Sequence, residues 1–175
     1  MKYFGVAAVM IAVSVAPALA FDDADRAAVA KSFETLAENS KSENIPALVD
    51  SMPPKILEKM AEPTGMDVAV LKPMIVEQLK QAMSQVSIGE FTYDLDAMQS
   101  GTSDAGRSYA VVPTSVVMEI SGASMKADGP TLALEDGDQW YLLQVQSPDQ
   151  KQLLATAYPD LADVDLPVPT VTPIE

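Results

Sequence analysis

Between residues 24 and 86 the apolar positions recur at helical spacing, and from Ile88 they alternate with polar ones, so the chain reads as helices followed by strands. Asp22 or Asp23 is placed to cap a first helix whose apolar face is Val29, Phe33 and Leu36, spaced i, i+4, i+7. The polar run Ser40 to Asn44 breaks it. Ile45, Leu48, Val49 and Met52 then make a short helical piece that Pro53-Pro54 terminates, because a residue before proline is driven out of the helical region. Pro54 can open the next helix, through Ile56, Leu57 and Met60, which ends before Glu62-Pro63-Thr64-Gly65. Asp67 can cap a longer one, with Leu71, Met74, Ile75, Leu79, Ala82, Met83 and Val86 on one stripe. A proline deep in a helix costs about 3 kcal/mol and one in the first turn little. Pro73 therefore predicts a regular helix over residues 72–85.

In the second half, Phe91, Tyr93, Leu95 and Ala97 alternate with Thr92, Asp94 and Asp96, the pattern of a strand with one wet face, on which Asp94 points away from Tyr93. Gln99 to Gly106 reads as a turn. A strand from Arg107 to Ile120 follows, and Pro113, which cannot donate a ladder bond, marks an edge, a bulge or a bend in it. After a link at Gly122, a third strand ends in Thr131 to Glu135, and Asp136-Gly137 supplies the turn into Gln139 to Val145. Ser147, Pro148 and Gln150 read as N-cap, first-turn proline and capping box of a last helix through Leu153, Leu154 and Tyr158, stopped by Pro159. The fold class is α+β: N-terminal helices on a curved antiparallel sheet of about four strands, plus a short C-terminal helix.

The first twenty residues have a different character. Lys2, an apolar stretch from Tyr3 to Val15, Pro17 and the triplet Ala18-Leu19-Ala20 read as a secretory signal cut after Ala20. The stretch is shorter than the roughly 20 apolar residues of a spanning helix, and with no Cys in the chain there is no residue to carry a lipid. Three segments are expected: residues 1–20 as a cleavable signal, 21–159 as a single domain, and 160–175 as a proline-rich acidic tail, extended and mobile or laid along the domain as a strap. The expected location is periplasmic or secreted, with no membrane attachment after cleavage.

Composition then removes whole classes of function. The net charge is −14, which sets the protein against nucleic acid and anionic membrane surfaces. With neither His nor Cys, there is no imidazole acid or base, no Cys or Ser-His nucleophile and no ordinary zinc or haem site. The arginines, Arg26 in an exposed helix and Arg107 near a hairpin, offer no paired clamp for phosphate. The methionines form no Met-x-x-Met cluster. The acidic groups at Asp22-Asp23-Asp25, Glu135-Asp136-Asp138 and Asp160-Asp163-Asp165 lack a full calcium loop and read as a cap, a turn and a solvated tail. No metal and no cofactor is expected.

Three pieces of the chain in this order resemble the NTF2-like superfamily: Ala47-Leu48-Val49-Asp50-Ser51-Met52-Pro53-Pro54, then Tyr109-Ala110-Val111-Val112-Pro113, then the hairpin from Leu132 to Trp140. The likeness covers roughly residues 24 to 146. It implies a cone-shaped fold with a pocket between sheet and helices, in a superfamily that holds isomerases, cyclases and dehydratases as well as members without chemistry, so fold alone carries no activity. Enzymatic members commonly use an Asp base helped by Tyr or His. This chain has no His, and no catalytic set is transferred. The pocket candidates are Asp50, Met52, Tyr93, Tyr109, Met118 and Trp140, with Trp140 alternatively closing the core against a helix. The expected function is non-catalytic binding of a small apolar or amphipathic ligand or of a protein partner. A small isomerase or dehydratase using pocket Asp and Tyr, and a homodimeric interaction module, are the alternatives.

Overall fold

The computed structural model describes residues 21–84, 86–120 and 122–174, so the expected signal segment lies outside the described residues. Helix α1 spans Asp23–Lys41 and is started by a reciprocal cap: Asp22 Oδ1 accepts from the Ala24 and Asp25 amides at 2.8 and 2.9 Å, and Asp25 accepts from the Asp22 amide at 3.1 Å. Asn44 caps α2 (Ile45–Asp50), and Pro54 opens α3 (Pro54–Ala61). Helix α4 departs from expectation. It runs Val68–Met83 from the Asp67 cap, so Pro73 lies inside it. Pro73 forfeits one backbone bond on the exposed side of the helix, where water can reach the freed carbonyl. Leu71 and Ile75, flanking it, are buried and hold the turn in place.

Strand β1 (Val86–Tyr93) begins two residues earlier than the alternation implied and carries a bulge at Gly89 and Glu90 opposite Val117. The expected turn at 99–106 contains a strand, β2 (Gln99–Thr102), which pairs with β3 (Ser108–Ile120). Strand β4 (Ala123–Asp136) pairs with β3 from Ala123 to Leu134, and Gly137, at φ 67°, makes the turn to β5 (Gln139–Gln144). Helix α5 (Pro148–Ala157) starts at Ser147. Its Gln150 reaches past the cap to accept from the Gln146 amide at 2.7 Å. Strand β6 (Thr170–Pro173) completes an antiparallel sheet of order β1-β3-β4-β5.

The long β3–β4 hairpin shares each outer edge between two strands. Residues 114–120 of β3 pair with β1 and 108–111 with β2, while residues 131–136 of β4 pair with β5 and 125–128 with β6. Pro113 and Pro130 face each other across the hairpin at the places where these partners change. Prolines sit there because the missing N–H falls where no edge strand needs it.

Both faces of the curved sheet are covered. One face carries Ala110, Val112, Ala133 and Leu142 and takes Val29 and Phe33 of α1, all nearly solvent-free. The other, one residue out of step on the same strands, carries Tyr109, Val111, Leu132 and Leu134 and takes Ile56, Leu154 and Tyr158. Helices α2, α3 and α4 bury Val49, Leu57, Ala61, Leu71 and Ile75 among themselves. The tail is a strap. Leu161 and Leu166 enter the core, β6 pairs with β4, and Pro169 lies so close to Gly129 that a Cβ there would approach its ring within 2.7 Å. Helices packed on a curved antiparallel sheet, with a further helix after the last long strand, are the α+β arrangement expected from the sequence. Among the described residues no helix is long and apolar enough to cross a membrane.

Candidate functional site

The four N-terminal helices give part of each apolar stripe to the core and leave the neighbouring positions facing a cavity. Phe33 and Val49 are buried, for example, whereas Leu36 and Leu48 beside them line a space of about 650 Å³ between α1–α4, β5 and α5. Its floor is Ile56, Ile75, Thr131 and Leu142, all buried, and Met52, Met60, Leu79, Leu143 and Leu153 form its walls. Among the described residues no Asp, Glu, Lys, Arg or Tyr lines it. The polar groups present are hydroxyls and amides. Thr131 is committed on the floor: Thr114 Oγ1 donates to the Gly129 carbonyl at 2.8 Å, which leaves Thr131 to donate to Thr114 at 2.9 Å.

A second groove, of about 610 Å³, runs between the sheet and the strap. Tyr93, Val111, Pro113, Pro130 and Pro167 line it with Asp94, Asp128 and Asp165. Alternation set Asp94 away from Tyr93, yet both line this groove, because β1 ends at Tyr93 and the period of two ends with it. Two of these carboxylates have structural work. Asp94 accepts from the amides of Asp96 and Ala97, and Asp128 pairs with Lys126 at 2.9 Å.

Of the six candidates read from the sequence, Met52 lines the helix-walled cavity and Tyr93 the second groove, where its ring lies 5.1 Å from that of Phe33. Asp50 is exposed and pairs with Lys72 at 2.8 Å. Tyr109 packs on the α5 side of the sheet with its hydroxyl against Gly101. Met118 faces Met125 across β3 and β4 and lines neither space. Trp140 packs with the α1-facing cluster, edge-on to Phe21 at 5.8 Å. The six are not brought together, and Trp140 has the role of closing the core beside α1.

Sequence reasoning missed the most charged buried cluster. Arg107 donates from Nε to Asp160 at 2.9 Å and from Nη1 to the Glu135 carbonyl and, at 3.3 Å, to Asp136. Ser103 donates to Asp160 at 2.8 Å, and the buried Tyr158 donates to Asp136 at 2.9 Å. Lys55 and Arg107 both lie over the Tyr158 ring, at 5.1 and 4.9 Å from its centre. The cluster joins α3, the 103–107 turn, the β4–β5 hairpin and the strap, and it lines neither cavity. It is a clamp. The only signal in the sequence was Arg107 itself, a guanidinium beside a turn in need of carboxylates; nothing in spacing ties residues 55, 107, 136, 158 and 160 together.

The clamp makes a pH-dependent contribution to stability. Burial, then the hydrogen bond and charge of Asp136, raise the Tyr158 phenol well above its ordinary value, against the opposing effects of a hydrogen bond from the Lys55 backbone and the charge of Arg107. Burial also opposes ionisation of Asp160, but Ser103 and Arg107 outweigh it and hold the carboxyl below its ordinary value. A raised phenol contributes stability that is full below the unfolded pKa of about 10 and is lost as pH rises beyond it. A depressed carboxyl contributes stability that is full above about pH 4 and is lost on acidification. Tyr158→Phe is expected to be less stable than wild type by about 1.5–3 kcal/mol at neutral pH, the range for a hydrogen bond to a charged group. The gap should narrow above about pH 10, as wild type alone loses the phenol's contribution. Urea melts across that range check it, and a gap that stays constant rules the titration out.

Among the described residues no group of three or more His, Cys, Asp or Glu is placed to hold a metal ion. The chain matches no family model, no curated protein and no solved structure.

Proposed function

We propose that the protein is an exported, non-catalytic binding domain of NTF2-like type, whose helix-walled cavity takes a small apolar or amphipathic molecule. The observation that carries this reading is the lining: a buried aliphatic floor, thioether walls that adapt to varied shapes, and no ionisable side chain among the described residues. An isomerase or dehydratase needs a positioned acid or base. Tyr93 and Asp94 are the nearest such types, and they border the strap groove, where the Asp94 carboxylate already accepts from two backbone amides. The enzyme reading therefore has the weaker support.

The test is binding of the uncharged dye N-phenyl-1-naphthylamine, followed by its fluorescence. Leu48→Trp fills the cavity from α2 and should weaken binding at least tenfold. Gln78→Trp, at an exposed rim position where folding is not at stake, should weaken it as well. Tight binding retained in both folded variants would mean that the cavity is not the site.

A further inference from the structure

We infer that the occupant of this cavity is an uncharged amphiphile, with an aliphatic chain on the floor and a neutral, hydrogen-bonding head at one side of the mouth. The inference rests on the cavity being the binding site and names the class of molecule it selects. Depth is read from burial: Ile56, Ile75 and Leu142 are closed to solvent, whereas Gln78, Gln146 and Gln150 are exposed at the rim, with Gln144 half-buried beside them. The side-chain amides of the mouth are thus concentrated on the side of β5 and the start of α5, with Gln78 of α4 opposite them, and the half-buried Ser40 and Ser51 hydroxyls also line the cavity.

These amides are partly tied to one another. Gln146 Nε2 donates to Gln144 Oε1 at 3.2 Å, and Gln150 Oε1 accepts from the Gln146 backbone N–H at 2.7 Å. Those two bonds fix the rim and leave the Gln144 and Gln150 amide N–H groups as donors and Gln146 Oε1 as an acceptor. A head that both donates and accepts, such as a hydroxyl, a glycerol or a carboxamide, matches that set.

A charged head does not match. A carboxylate entering the mouth would give up water with no cation in the lining to replace it, inside a protein of net charge −14. An ammonium would gain from that overall charge but would likewise find no carboxylate in the lining. The chain end of the ligand is less constrained. Each methylene buried on the aliphatic floor is worth roughly a fourfold gain in affinity, so affinity should climb with chain length until the cavity is full.

The experiment uses the purified protein and three probes with one twelve-carbon chain: 1-monolauroylglycerol, laurate and dodecylammonium. Each competes with bound N-phenyl-1-naphthylamine at neutral pH, at low and at high salt. The monolauroylglycerol is expected to displace the dye at a concentration at least tenfold below either charged probe. That preference should survive high salt, because it comes from the lining and not from the screened net charge. It should fall to within about threefold in Gln150→Leu, which removes a rim donor. Equal or tighter binding of laurate or dodecylammonium would overturn the head-group inference while leaving the cavity as the site. Failure of the dye and of all three probes to bind would overturn the cavity reading, and the inference with it.

Discussion

Arg107→Ala is expected to destabilise the protein by about 3–5 kcal/mol, the cost of removing one partner from a nearly buried ion-pair network. The side chains of Arg107, Asp136 and Asp160 are only 15%, 16% and 13% exposed, so the two carboxylates would be left with little water and without the guanidinium that joins them. In a chain of this size that corresponds to a fall in Tm of roughly 10 °C, measurable by differential scanning calorimetry. Arg107→Lys should recover only part of the loss. An ammonium keeps the charge but cannot span the positions at which Nε and Nη1 meet Asp160, Asp136 and the Glu135 carbonyl. A melt of Arg107→Ala within about 2 °C of wild type would mean that the clamp contributes little to the fold.

Phe33→Ala should cost a similar amount, about 3–5 kcal/mol, by a different route. The Phe33 ring is fully buried between α1 and the sheet, against Val29, Ala110, Val112 and Ala133 and tilted at 33° to Tyr93. Its removal leaves a hole that backbone pairing in the sheet prevents from collapsing. Because Leu36 and Ser40 of the same helix wall the cavity, looser seating of α1 should weaken dye binding together with stability. Leu36→Ala separates the two effects: half-buried at the cavity wall, it should lose less stability than Phe33→Ala and proportionately more binding. Denaturant melts paired with dye titration read both. Equal ratios of stability loss to binding loss in the two variants would contradict this division of labour along α1.

Elements whose signals are local were legible in the sequence. Asp22, Asp67 and Ser147 start their helices through bonds to amides two or three residues away, and the Asp136-Gly137 turn is closed by its own backbone. Elements held from a distance were not. Gln-Ser-Gly-Thr has no apolar alternation, and β2 exists because residues 108–111 offer it a ladder. The strap could be read as mobile or docked because Leu161 and Leu166 look like any tail leucines until the face that receives them is known. Pro73 misled for a related reason: the rule prices a proline in isolation, whereas the burial of Leu71 and Ile75 on either side decides where α4 begins.

The candidate site divides in the same way. Met52, one of the residues read from the sequence, lines the cavity, where a flexible thioether can adapt to varied shapes. The other walls came from positions indistinguishable from core, since a stripe of leucines does not state which members meet a neighbour and which meet a space. The glutamine rim went unnoticed because Gln78 lies far from Gln144, Gln146 and Gln150 in the chain and only helix packing brings them to one mouth.

The strap has a consequence for the order of events during synthesis. Leu161 and Leu166 complete a core whose other members begin at Ile56, and β6 closes the outer edge of a strand laid down more than forty residues before it. A nascent chain that has not yet released these residues holds Leu132, Leu134 and Tyr158 under an open side. The native core therefore closes only after the strap has emerged, later than the helices and the β3–β4 hairpin against which it packs.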